Sequence, residues 1–123
     1  MNEEKVILEV VRGETPWSAL QELDITLELN EGSVSIQNPQ HLAAVAKPAD
    51  ISRGFLKYQN DPERLKTWAW LVVAGSSLID LDLEGHAQGE ALLGALWDAA
   101  YGAPLSSDVL RIARMVSKEN NHP

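Results

Sequence analysis

Hydrophobic and polar residues follow two different periods along this chain, and the change of period divides it into two parts. Near the N-terminus, the β-branched run Val6–Val11 is typical of a strand. Ile25–Leu29 and Val34–Ile36 then alternate apolar and polar residues, and the segment that joins them ends in Gly32, which predicts a β-hairpin. We therefore expect a small antiparallel sheet in the N-terminal third.

The rest of the chain has the spacing of helices. Asp61–Pro62 is a helix start, with a capping acid followed by proline in the first turn. A second helix is predicted over His86–Tyr101, because Gly102 and Pro104 are a common termination signal. A hydroxyl of Ser106–Ser107 is expected to cap the last helix.

The predicted fold class is α+β, with a small N-terminal antiparallel β-hairpin or sheet followed by a four- to five-helix C-terminal bundle. An all-α fold that keeps only a vestigial hairpin is the alternative. The chain has a common domain length, and 45% of its residues are apolar, so it can bury one core. No linker or repeat interrupts it, and we expect a single domain over residues 1–123.

Charge is distributed unevenly along the chain. The formal net charge is −8, because 18 acids outnumber 10 bases. Residues 67–110 contain acids but no lysine or arginine, which predicts a negative field over part of the surface. Such a field repels nucleic acid and attracts basic partners, although an acidic surface also serves solubility alone.

Targeting features favour the cytoplasm. The segment Met1–Lys5 is acidic rather than basic, and no apolar run is long enough for a secretory signal or a transmembrane helix. The chain has no cysteine, so it forms no disulfide and no thiolate metal site. We expect a cytoplasmic protein that makes no membrane contact.

The acidic segment that begins at Asp80 is the sharpest candidate for metal chemistry. Asp80, Asp82 and Glu84, followed by Gly85, match the start of an EF-hand calcium loop. The match fails at the twelfth position, where Ala91 stands in place of the bidentate glutamate. Solvated acids explain the pattern better than a calcium cage, so no metal ligand is predicted. A metal-binding role for this loop stays an alternative.

Signatures of catalysis are missing from the sequence. His86 follows the acidic loop, but no second histidine or base lies at helical spacing from it. The chain also has no Gly-x-Ser-x-Gly elbow, no phosphate-binding loop and no dinucleotide fingerprint. We therefore expect neither enzymatic activity nor a cofactor.

The helix predicted over His86–Tyr101 has a composition typical of an interface. At about 100° per residue, Glu90, Trp97 and Tyr101 project away from the apolar side that contains Leu92. Aromatic residues beside acids suit a binding surface, whereas a helix buried on both sides would make Trp97 a core residue. The predicted partner-binding residues are Asp80, Asp82, Glu84, Glu90, Trp97, Asp98 and Tyr101.

Four phrases in the second half of the chain carry a family resemblance. They are Ile51-Ser-Arg-Gly, Asp61-Pro-Glu-Arg-Leu-Lys-Thr-Trp-Ala, Ile79-Asp-Leu-Asp and Gly89-Glu-Ala-Leu-Leu-Gly-Ala-Leu-Trp-Asp. Together they resemble small bacterial immunity proteins encoded beside polymorphic toxins, including those of contact-dependent growth inhibition. The resemblance covers under half of the chain and includes no catalytic motif.

The resemblance implies a cytoplasmic inhibitor that binds and neutralises one cognate toxin domain. Many such toxins are nucleases with basic substrate clefts, so the implied partner is a basic domain and no direct nucleic-acid contact is implied. An acidic surface would speed association with such a partner. The sequence leaves the oligomeric state open, and the alternative function is a homo-oligomeric structural or regulatory subunit that associates through exposed aromatic residues.

Overall fold

The computed structural model describes residues 3–23, 25–30, 33–37, 44–74, 79–85 and 87–119. Within these ranges the chain is mostly helical, with five α-helices, one 3₁₀ helix and four short strands. In chain order the elements are α1 Glu3–Val11, the 3₁₀ helix Trp17–Leu23, β1 Thr26–Asn30, β2 Ser33–Gln37, β3 Ala44–Ala46, α2 Pro48–Tyr58, α3 Pro62–Ala74, β4 Ile79–Leu81, α4 Ala87–Ala100 and α5 Ser107–Glu119.

The described strands form two separate pairs. β1 and β2 are antiparallel, and Thr26 lies opposite Gln37 at one end of the pair. β3 and β4 are parallel, and Val45 is aligned with Asp80. Since α2 and α3 lie between β3 and β4 in the chain, the parallel pair connects segments that are distant in sequence.

The predicted fold class, a small N-terminal antiparallel sheet followed by a four- to five-helix bundle, is wrong. Helix α1 occupies the segment Val6–Val11 that was predicted as a strand, and β4 lies between two helices of the C-terminal half. Ile7, Val10 and Val11 are all at most 1% exposed, so they form one helix face that packs on the core. Burial at helical spacing overrides the strand preference of β-branched residues.

The core is centred on Trp68, on the inner side of α3. The Trp68 ring is fully buried, and its centroid lies 5.2 Å from that of Phe55 and 6.0 Å from that of Tyr58. Its Nε1 donates a hydrogen bond of 2.9 Å to the carbonyl oxygen of Val11. Gly54 permits this approach, because a Cβ there would overlap the Trp68 ring. Helices α1, α2 and α3 therefore converge at this glycine.

The buried carboxylate of Asp50 links the start of α2 to the residue that follows α1. Asp50 is 7% exposed, and its Oδ2 accepts a hydrogen bond of 2.9 Å from the backbone N–H of Lys47. Its Oδ1 accepts a hydrogen bond of 2.6 Å from Nε of Arg12. The first turn of α2 is thereby capped, and Pro48 needs no partner there because proline has no N–H.

The last two helices complete the core from the other side. α4 packs against α3, and α5 packs against α2 and α4. Leu92 and Leu96 of α4 and Ala113 of α5 are fully buried. Trp97 of α4 and Arg111 of α5 are exposed, so each of these helices keeps one side in solvent.

Candidate functional site

The outer side of α4 carries four of the seven predicted partner-binding residues. Leu92 lies on the inner side, whereas Trp97 is 43% exposed and Tyr101 is 72% exposed. Glu90 and Asp98 are exposed as well. The alternative that made Trp97 a core residue is therefore wrong. We call Glu90, Trp97, Asp98 and Tyr101 the acidic–aromatic face.

Chain reversal after α4 fixes the position of Tyr101. Gly102 has φ of 92°, a left-handed conformation that glycine adopts without strain. Its N–H donates to the Ala99 carbonyl at 2.9 Å, and the N–H of Ala103 donates to the Asp98 carbonyl at 2.9 Å. These bonds satisfy the last carbonyl groups of the helix, as glycine C-caps commonly do. Tyr101 therefore stands at a defined helix end.

A groove of about 250 Å³ runs between α4 and the start of α5. Its walls carry the carboxylates of Glu90 and Asp98, which are two helical turns apart. The α5 wall is set by Ser106, whose Oγ accepts a hydrogen bond of 3.2 Å from the N–H of Val109. The full lining is Glu90, Ala91, Gly94, Ala95, Asp98, Pro104, Leu105, Ser106 and Val109.

The exposed ring of Tyr101 packs against α3. The two tryptophans of α3 face different directions, since Trp68 lies in the core and Trp70 lies against Tyr101. The centroids of Trp70 and Tyr101 are 5.4 Å apart, and the ring planes meet at 69° in an edge arrangement. Tyr101 is thus held by one ring while most of its surface stays in solvent, and Trp97 lies one turn before it on the same helix side.

The carboxylates of the acidic–aromatic face are not neutralised by bases of the described chain. None of the salt bridges within the described residues includes Glu90 or Asp98. Arg111, a base of α5, is paired with Asp108 at 3.5 Å. Residues 67–110 contribute no lysine or arginine. The face therefore presents negative charge that an approaching cation can satisfy.

The three acids that precede α4 are exposed, but they are placed differently from one another. Asp80 lies in β4 beside Val45 rather than on α4. The N–H of Asp82 donates to the Ala46 carbonyl at 2.9 Å, and Glu84 follows in the turn. Leu83 is fully buried, and its carbonyl oxygen lies so close to Gly89 that no Cβ would fit there. This contact fixes the turn, and so Glu84, against the first turn of α4.

Among the described residues, a calcium or catalytic metal site at this turn gains no further ligand. The described residues contain no group of three or more His, Asp or Glu side chains placed to hold a metal ion. Ala91, which replaces the bidentate ligand of an EF-hand, lies exposed in α4. His86, the possible base of a catalytic centre, lies outside the described residues.

Several residues of this surface were not predicted. Leu105 and Val109 line the groove, and Trp70 supports Tyr101, although none of the three was among the predicted partner-binding residues. Gly102 and Pro104 predicted that the helix ends there. That signal could have indicated that the start of α5 returns alongside α4, but it gives no information on which α5 side chains meet the groove.

No family model matches this chain, and comparisons with curated proteins and with solved structures give no match. No helix in the described ranges has both the length and the apolar character needed to cross a membrane. Function is therefore inferred from the chain's own residues.

Proposed function

We propose that this chain is a cytoplasmic immunity protein that binds and neutralises a basic toxin domain through the acidic–aromatic face of α4. The protein acts by binding rather than by catalysis. The observation that carries the proposal is the exposure of Trp97 and Tyr101 on the same helix side as Glu90 and Asp98, two carboxylates without a described ion-pair partner. The four phrases that resemble immunity proteins support the same class of function.

The aromatic side chains supply the contact energy of the proposed interface. Tryptophan and tyrosine are the residues most often found at binding hot spots, because they bury a large area with few rotatable bonds. Tyr101 is already braced by Trp70, so little conformational freedom is lost when a partner covers it. We expect Trp97→Ala to weaken binding by about 2 kcal/mol or more, which is roughly 30-fold in Kd.

The carboxylates raise the rate of association with the partner and orient it. Opposite charges accelerate encounter, and salt screens this effect over about 10 Å at 0.1 M ionic strength. Glu90 and Asp98 border the groove, so a lysine or arginine of the partner can enter between them while its aliphatic part contacts Leu105. Asp82 and Glu84 extend the negative surface beyond the N-terminal end of α4 and are assigned a steering role.

The partner must be identified and its neutralisation measured together. Tagged protein is used to capture binders from the source strain at low and high salt, and mass spectrometry identifies them. The captured domain is then expressed in a sensitive host with and without this chain. Restored growth, together with salt-sensitive capture of a basic domain, supports the proposal, whereas a captured domain whose toxicity is unchanged by this chain contradicts it.

Charge reversal locates the interface. The double variant Glu90→Lys and Asp98→Lys is expected to lose protection and affinity while its melting temperature stays near that of the wild type. The matched control reverses Glu22 and Glu63, which are exposed acids outside α4, and produces the same change in net charge. If the α4 variant protects as well as the control does, this face is not the binding site.

The same exposed apolar side chains favour a second candidate, a homo-oligomeric subunit. Met115 of α5 is 42% exposed, so apolar surface is not confined to α4. Sedimentation of the purified chain over a range of concentrations separates the two functions. A stable dimer that Trp97→Ala and Tyr101→Ala dissociate would replace the immunity proposal with self-association.

A further inference from the structure

A smaller hollow continues the groove on α4. It has a volume of about 170 Å³ and lies between the start of α3, the end of α4 and the start of α5. Leu105 lines both the groove and the hollow, so it stands between them. Ala95 lines the groove, and Ala99, one helical turn later, lines the hollow. The two features therefore lie end to end along one side of α4, and we call the second one the apolar hollow.

The apolar hollow differs from the groove in its chemistry. Its described lining residues include no charged side chain, whereas two carboxylates line the groove. Leu65 and Ala99 are its buried lining, and the half-buried Leu110 adds a further apolar wall. Its one polar lining side chain, Gln59, donates a hydrogen bond of 3.0 Å from Nε2 to the Leu56 carbonyl. The hollow therefore suits an apolar group, and the groove suits a base.

The size of both features favours side chains of a larger partner. Their volumes are about 250 and 170 Å³, and small-molecule sites usually enclose about 300–1,000 Å³. A cavity of about 150 Å³ holds a group of the size of benzene, so each feature has room for about one side chain. The exposed rings of Trp97 and Tyr101 lie on the same helix and supply additional contact area for such a partner.

The positions of the two features along α4 set the spacing of the partner's side chains. The α4 residues that line the groove are centred near Gly94, whereas Ala99 and Gly102 line the apolar hollow roughly six residues later. At a rise of about 1.5 Å per residue, the two centres are about 10 Å apart along the helix axis. This distance corresponds to about three residues of an extended segment or about seven residues of a helix.

We propose that the partner contacts this surface through a pair of side chains about 10 Å apart: a lysine or arginine in the groove and an apolar side chain in the apolar hollow. The proposal rests on the proposed function, because it assigns a second contact to the same basic toxin domain. Charge complementarity selects the base, since neither Glu90 nor Asp98 has an ion-pair partner among the described residues. Leu105 packs between the two inserted side chains.

Calorimetric titration of the full chain with the basic domain captured from the source strain measures the two contacts separately. Ala103 is exposed and lines the hollow but not the groove, so Ala103→Gln places a polar amide there without disturbing the core. We expect this variant to raise Kd about tenfold, equally at low and high salt. Asp98→Asn, in the groove, should raise Kd by a factor that shrinks as salt increases.

Ser18→Gln is the matched control, because it adds the same side chain to an exposed residue of the 3₁₀ helix that lines neither feature. It should leave Kd within about twofold of the wild type. If Ala103→Gln binds as tightly as this control while Asp98→Asn weakens binding, the apolar contact is overturned and the proposed function stands. If all three variants bind like the wild type, the interface lies away from this side of α4. Failure to capture any basic domain would remove the proposed function and this proposal together.

Discussion

Replacing Gly54 by alanine adds one methyl group where α1, α2 and α3 converge. The added Cβ would overlap the Trp68 ring and would lie 2.5 Å from the carbonyl oxygen of Val11. Neither neighbour can yield easily, because one is a fully buried ring and the other is backbone. The same two groups share a hydrogen bond of 2.9 Å, so any shift that relieves the overlap also strains that bond.

The expected loss of stability combines two costs and one gain. Overpacking a tight core usually costs about 1–3 kcal/mol, and contact with backbone places Gly54→Ala at the upper end of this range. Strain on the Trp68–Val11 hydrogen bond adds about 1 kcal/mol, whereas the higher helix propensity of alanine returns about the same amount. We expect a net loss of about 3 kcal/mol in the free energy of unfolding, which lowers Tm by roughly 10 °C in a domain of this size.

Gly94 provides the matched control. It also lies inside an α-helix, but a Cβ added there meets no atom within 4 Å. Gly94→Ala should therefore gain up to about 1 kcal/mol from helix propensity. Urea unfolding followed by far-ultraviolet circular dichroism measures both variants. Similar unfolding midpoints for the two alanine variants would refute the convergence of three helices at Gly54.

Three further variants test the core, a helix cap and a buried phenol. Trp68→Phe leaves the Val11 carbonyl without its donor and should destabilise the protein by about 1–3 kcal/mol. A urea midpoint equal to that of the wild type would argue against this bond. Asp50→Ala removes the cap of α2 and should lose about 1 kcal/mol or more in the same assay, whereas Glu22→Ala, on an exposed acid, should change little. Burial raises the pKa of Tyr58 above its usual value, so the folded state retains the phenol proton at alkaline pH where the unfolded chain loses it. The free energy of unfolding should therefore fall as pH rises above about 10, and Tyr58→Phe should make this fall shallower; an unchanged pH profile would contradict the assignment.

Local signals in the sequence predicted helix ends better than they predicted the fold. Asp61–Pro62 marks the start of α3, and Gly102 marks the end of α4. Both signals are readable in the sequence because capping depends on residues within one turn. Val6–Val11 was predicted as a strand because its β-branched composition is a local property, whereas its helical state depends on a face that packs against distant residues. The parallel pairing of Val45 with Asp80 has no local signal at all, since each strand has only three residues.

The sequence predicted the part of the candidate site that lies within α4, but not its contacts with other helices. Helical spacing placed Glu90, Trp97 and Tyr101 on one side of α4, and their exposure in the structure agrees with that geometry. The spacing of residues within one helix cannot indicate which other helix borders it. The groove with Leu105 and the ring contact with Trp70 were therefore beyond reach, because both depend on how α5 and α3 pack against α4.

The parallel β3–β4 pair has a consequence for the order in which the molecule assembles. Ala44 is aligned with Ile79, and closing a chain loop of this length costs on the order of 3 kcal/mol in entropy. Two strands of three residues cannot offset this cost alone, so we expect their pairing to follow the packing of α2 and α3. The turn that carries Glu84 follows β4 and is held against Gly89, and we therefore expect it to reach its final position late in folding. A nascent chain that has not yet docked α3 would lack both this turn and the contact of Trp70 with Tyr101, so the proposed binding face would form only when the fold is complete.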